Sequence, residues 1–159
     1  MRKALTVILV VSVIAMGKVS AQSMGSSYET AIGVKFYPGA LTIKHFTNDN
    51  TALEGLVNFW DHGFRFTGLY EIHGDINGAP GLRWYVGPGA HIGWYNGTYY
   101  HDYYYGSGDV SFGFDGILGL DYKISNAPIA VSIDVQPSLE LLNHAYIDVW
   151  GGLGVKYTF

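Results

Sequence analysis

Leu82-Arg83-Trp84-Tyr85-Val86-Gly87-Pro88-Gly89-Ala90-His91-Ile92-Gly93-Trp94-Tyr95 is the stretch that decides the fold. Its even positions, Leu82, Trp84, Val86, Pro88, Ala90, Ile92 and Trp94, are all apolar, whereas the odd ones are polar, aromatic or glycine. Successive side chains of a strand point to opposite faces, so a period of two predicts a strand whose two faces meet different surroundings.

Working outward, the next segment sets Val110, Phe112, Phe114, Leu118, Leu120, Tyr122 and Ile124 against Ser111, Asp115, Asp121 and Lys123. After the turn Ser125-Asn126-Ala127-Pro128, a seventh segment sets Ile129, Val131, Ile133, Val135, Leu139 and Leu141 against Ser132, Asp134, Gln136, Ser138 and Glu140. The last sets Ile147, Val149, Leu153, Val155, Tyr157 and Phe159 against Asp148, Trp150, Lys156 and Thr158. Pro137 has no N–H for a ladder and predicts a bulge or break beside it. Towards the N-terminus, strands are expected near 29–37, 40–46, 51–60 and 64–76, separated by Gly, Pro, Asn and Asp turn signals. That makes an all-β chain of eight strands, in keeping with its 22 Gly and 13 Tyr.

Fifteen charged residues fall within these strands: Lys35, Lys44, Arg65, Arg83, Lys123, Lys156, Glu29, Glu54, Glu71, Asp75, Asp115, Asp121, Asp134, Glu140 and Asp148. Within each strand they share one face. Choosing the polar face freely in eight strands leaves seven placements to chance, so the odds of accident are about one in a hundred.

Arg2 and Lys3 precede an apolar run of 13 residues, Ala4 to Met16, and then Val19-Ser20-Ala21. This is the pattern of a secretory signal peptide cleaved after Ala21, the run being short of the roughly 20 residues a membrane-spanning helix needs. Residues 22–159 then form one domain. They contain no cysteine, so burial and backbone pairing must hold the fold without disulfides. Six basic residues against 13 acids make nucleic acid an unsuitable partner.

Alternation alone leaves open whether the apolar face meets lipid or a core. A soluble, exported, lipocalin-like barrel binding an apolar ligand would show the inverse arrangement. Lipid is favoured by the alternating last strand ending on Phe159, by the Gly-rich polar face (Gly87, Gly89, Gly93, Gly113, Gly119, Gly152, Gly154), and by aromatics near strand ends. In hydrocarbon such strands must close into a barrel, because an open edge would leave its backbone groups unpaired.

The leader, the eight alternating strands, the charged face and terminal Phe159 together resemble the small OmpA/OmpX-type eight-stranded barrels of the Gram-negative outer membrane. The resemblance implies an up-and-down transmembrane barrel with both termini in the periplasm. It implies recognition of Phe159 by the barrel-assembly machinery, contact with outer-membrane lipid, a monomer, and no cofactor. It does not fix a function, since the architecture serves anchors, adhesion-related proteins and a few lipid-modifying enzymes.

On this reading Lys35, Lys44, Glu54, Arg65, Glu71, Arg83, Asp115, Asp121, Lys123, Asp134, Glu140, Asp148 and Lys156 form a lumen charge network. Buried charges are tolerable only when paired, so a salt-bridged plug is expected and a pore is not. Asn96 to Asp109 is expected to be the one long outward loop. Its Tyr99, Tyr100, His101, Tyr103, Tyr104 and Tyr105 form a candidate contact surface for a surface ligand or glycan, or else rings that extend the interfacial girdle or pack over the barrel mouth. The run His45-Phe46-Thr47-Asn48 faintly resembles the His-x-Ser-Asn stretch of outer-membrane lipid A deacylases, but Thr replaces Ser, and an inter-strand turn explains the same residues. His73 and His91 lie on the polar parity, with a lumen hydrogen-bond network as their expected place and a metal shared with Glu71 or Asp75 as the alternative. No catalytic or metal residue is assigned.

Overall fold

The computed structural model describes residues 25–159 apart from 38, 101, 102, 143 and 144, and of residue 100 the backbone alone. The expected leader, residues 1–21, lies outside them. Eight strands follow in order: β1 (Thr30–Phe36), β2 (Ala40–Asn48), β3 (Thr51–Trp60), β4 (Gly63–Asp75), β5 (Leu82–Tyr100), β6 (Tyr103–Lys123), β7 (Ile129–Glu140) and β8 (Tyr146–Thr158). Each pairs antiparallel with the next and β8 pairs with β1, closing the barrel. The eight-stranded antiparallel barrel is the one the alternation predicts.

Closure carries a stagger. The paired row Ile32, Ile43, Gly55, Gly68, Ala90, Phe114, Leu139 ends at Ile147 on β8, yet β8 meets β1 only over Leu153–Thr158. A row that returns displaced along the strands means that the strands tilt, as closing a barrel requires. The termini and the turns after β2, β4 and β6 share one end, called the near end here. The β1–β2, β3–β4, β5–β6 and β7–β8 connections share the far end.

The two faces are sharply different. Pointing outward are Val34, Ile43, Leu53, Phe66, Ile72, Trp84, Phe114, Leu118, Ile133 and Leu153, all exposed, and no charged residue joins them on the eight strands. Pointing inward and buried are Lys35, Lys44, Arg65, Lys123 and Lys156 with Glu54, Glu71, Asp115, Asp121, Asp134 and Glu140. The lumen also holds what counting charges could not reveal, an apolar layer of Ala40, Leu56, Leu69, Tyr85 and Ile117.

Three expectations need correction. On either side of residues 101 and 102 the chain from Asn96 to Asp109 is strand and not loop: β5 and β6 stay paired through Asn96↔Ser107, Thr98↔Tyr105 and Tyr99↔Tyr104. Tyr and Thr favour extended backbone, and a one-residue bulge between Trp94 and Asn96, with Gly108 at φ +87°, absorbs the local glycines. Pro137 breaks nothing: β7 is continuous and Pro137 stays opposite Val149 of β8. Only its β6 side loses ladder partners, between Asp115↔Ser138 and Leu118↔Val135, and the register there is unchanged. Finally, Glu29 precedes β1 and is exposed, and the Asp75 side chain is 82% exposed, so neither acid belongs to the buried network.

Candidate functional site

On β3, β4 and β6 the apolar layer separates polar residues placed towards the two ends. Leu56 lies between Glu54 and Asn58, Leu69 between Thr67 and Glu71, and Ile117 between Asp115 and Asp121. The lumen charges accordingly form two groups.

In the near-end group Lys44 Nζ lies 2.7 Å from Glu71 and 3.4 Å from Glu54, and Lys156 Nζ lies 3.1 Å from Glu54. Thr42 donates to Glu54, Lys156 donates to Ser132, and His73 Nε2 sits 2.9 Å from Glu71. The Lys44 ammonium rests 4.2 Å from the centre of the Tyr85 ring, whose hydroxyl donates to Asp134 at 2.7 Å; Lys35 pairs with the same Asp134 at 2.8 Å. Two carboxylates around one ammonium, with a second ammonium on one of them, is the pairing that buried charge demands.

The far-end group centres on Asp115. It accepts from the Arg65 guanidinium and from Gln136, and lies 2.8 Å from His91 Nδ1. His91 Nε2 is 3.0 Å from Glu140, and Glu140 also accepts the Phe112 N–H. His73 and His91 thus sit in separate groups, and among the described residues no cluster of three or more His, Cys, Asp or Glu has metal-site geometry.

Three expected network members do other work. Lys123 donates to the carbonyls of Gly25, Ile124 and Ala127, tying the N-terminal segment to the β6–β7 turn. Arg83 stands at the near mouth, ion-paired with Asp75 and donating to the Asp49 carbonyl, over the Phe46 ring. Asp148 is half-buried and accepts the Val149 N–H. Asp121 accepts the Tyr28 hydroxyl at 2.7 Å.

Both mouths are covered by rings. At the near end Tyr28 packs edge-on against Phe46, which lies against His73, so the segment before β1 acts as a stopper. Burial and the adjoining Asp121 carboxylate push the Tyr28 phenol well above its ordinary range. At the far end Trp60 lies between Tyr95 and Trp150, Tyr95 stacks on Tyr105 at 4.1 Å, and Arg65 sits under Trp150. The tyrosine-rich hairpin therefore has two roles. Tyr105 is fully buried over the mouth with Tyr103 against it, whereas Tyr99 and Tyr104, a cross-strand pair 5.0 Å apart, face away and are 73% and 53% exposed. The side chain of Tyr100, and His101 altogether, lie outside the described residues.

His45 and Thr47 point outward on β2 and are engaged elsewhere. His45 Nδ1 lies 2.9 Å from the Thr30 hydroxyl, and Thr47 donates to the Thr51 carbonyl. No carboxylate completes a triad with them among the described contacts. The aromatic covers were legible only in part, since Trp60, Tyr95 and Trp150 carry the right parity but nothing in alternation says that rings from three strands meet. Tyr28 precedes the first strand and gave no signal.

The geometry defines a class: a closed eight-stranded barrel with a charged, sealed interior and an apolar exterior. Comparison with protein-family models, curated proteins and solved structures finds no match for this chain.

Proposed function

We propose that this chain is an integral outer-membrane barrel whose sealed body is a rigid platform for the β5–β6 hairpin at the cell surface. The observation that carries this reading is the sidedness of the wall. A barrel in water hides its apolar face, and this one exposes it on all eight strands while burying most of its strand charges. Hydrocarbon is the solvent that favours such an arrangement. The inward charges are the reverse of the interior that a lipocalin-like carrier of an apolar ligand would need.

With a lumen closed at both ends and across its middle, transport is not the role supported. The surface left for recognition is Tyr99 and Tyr104 on a hairpin that outruns its neighbours: β4 leaves β5 at Tyr95, and β7 leaves β6 at Gly113. Flat amphipathic rings on a rigid support suit a glycan or a protein surface. Cell fractionation tests the proposal. Recovery in the outer-membrane pellet, released only by detergent, is expected; recovery in the detergent-free periplasmic fraction would overturn it.

A further inference from the structure

The wall is not equally tall all round. A strand climbs about 3.3 Å per residue and, tilted by about 40°, gains roughly 2.5 Å of height per residue. The 12 residues of β7 therefore give about 30 Å. The 7 residues of β1 give about 18 Å, short of the about 25 Å that an apolar belt needs. The outward apolar residues tell the same story. Strand β5 carries seven from Leu82 to Trp94, β1 only Ile32, Val34 and Phe36, and β2 only Leu41 and Ile43 before the polar His45.

Above the β1–β2 turn the neighbouring strands run on without it. The last pairs are Phe36↔Leu153 on one side and Ala40↔Asn58 on the other. Beyond them the backbone of Ile147 and Gly151 has no ladder partner on its β1 side among the described residues, and the Val149 N–H turns instead to the Asp148 carboxylate. Ile147 and Val149 are 73% and 62% exposed. Directly behind this notch lies a cavity of about 10 Å³, enough for a single water, lined by Lys35, Asn58 and Gln136 as well as by the apolar Ala40 and Leu56. On the opposite wall, at the same distance from the near end, Ile92 is paired with Phe66 of β4 on one side and with Phe112 of β6 on the other.

We propose that the surface leaflet thins beside the β1–β2 hairpin, with lipid headgroups and water drawn down onto the upper part of β8. This rests on the membrane reading above. Backbone groups without ladder partners are costly in hydrocarbon, and a short belt is met most readily by local thinning of the bilayer. The partner of this surface is thus the polar zone of the lipid, brought to a depth that is hydrocarbon on the β5–β7 side.

The chain has no cysteine, so single spin labels report depth cleanly. The labels go on Val149→Cys, nine residues above Thr158, and on Ile92→Cys, ten above Leu82, in the full mature barrel in phospholipid vesicles. Collision with a water-soluble nickel chelate relative to oxygen is expected to be several-fold higher at position 149 than at 92, with Ile147→Cys following 149. Equal, oxygen-dominated collisions at all three would overturn the thinning and leave the membrane reading intact. Nickel-dominated collisions at all three, as in water, would instead overturn the membrane reading and the thinning with it.

Discussion

Lys44 Nζ and Glu71 Oε2 meet at 2.7 Å with both side chains wholly buried. An ion pair so placed contributes chiefly by not being broken, because removing either partner leaves the other buried and under-compensated. Lys44→Met, which leaves Glu71 with His73 alone and weakens the hold on Glu54, is expected to cost about 3–5 kcal/mol. Lys44→Met with Glu71→Leu should recover much of that loss, since Glu54 keeps Lys156. Urea unfolding of the folded barrel in lipid, read as a double-mutant cycle, checks both values.

On the outer wall the rule reverses. Leu118 is 56% exposed opposite Val135, midway along β7, and Leu118→Arg is expected to destabilise by about 2–4 kcal/mol in a bilayer. Leu141→Arg, at the far rim, should cost at most about 1 kcal/mol. Equal, negligible costs at both sites in vesicles would speak against a hydrocarbon-facing wall.

Opposite faces of one hairpin should separate stability from recognition. Tyr105→Ala removes a fully buried ring stacked on Tyr95 and is expected to cost about 3–5 kcal/mol. Tyr99→Ala and Tyr104→Ala should change stability by no more than about 0.5 kcal/mol, and any binding to glycan arrays should disappear with them.

How legible all this was depended on the kind of signal. Period two is a local property, so Arg83, Asp121 or Asp134 disclosed its face from its neighbours alone, and eight such faces forced the barrel. What failed was whatever depends on residues far apart meeting. Leu56, Leu69 and Ile117 sit at lumen parity, but only closure brings them into one layer. Lys123 carries the parity of an ion-pair partner yet finds three carbonyls at its own turn, a choice set by the fold of Gly25–Tyr28. The glycines around the tyrosine run read as a loop because glycine marks bulges and loops alike, and only pairing tells them apart.

Tyr28 gives a prediction in pH. Its phenol is held neutral by burial and by the adjacent carboxylate, so its folded value lies above the unfolded value of about 10. The stopper's contribution is therefore complete below about pH 10 and is lost as pH rises towards the folded value. Absorbance titration at alkaline pH, compared with Tyr28→Phe, should show one phenol ionising late. At neutral pH Tyr28→Phe, which leaves Asp121 without that donor, should cost roughly 1–3 kcal/mol.

The sidedness of the wall is tested most directly by the four tryptophans, because Trp84 and Trp94 face outward and Trp60 and Trp150 face the lumen. Two variants, Trp60→Phe/Trp150→Phe and Trp84→Phe/Trp94→Phe, are reconstituted into vesicles whose acyl chains carry bromine, a quencher that acts only on contact. Strong quenching is expected for the protein retaining Trp84 and Trp94, and little for the one retaining Trp60 and Trp150. Quenching confined to the second protein, or absent from both, would contradict a barrel that turns its apolar face to lipid.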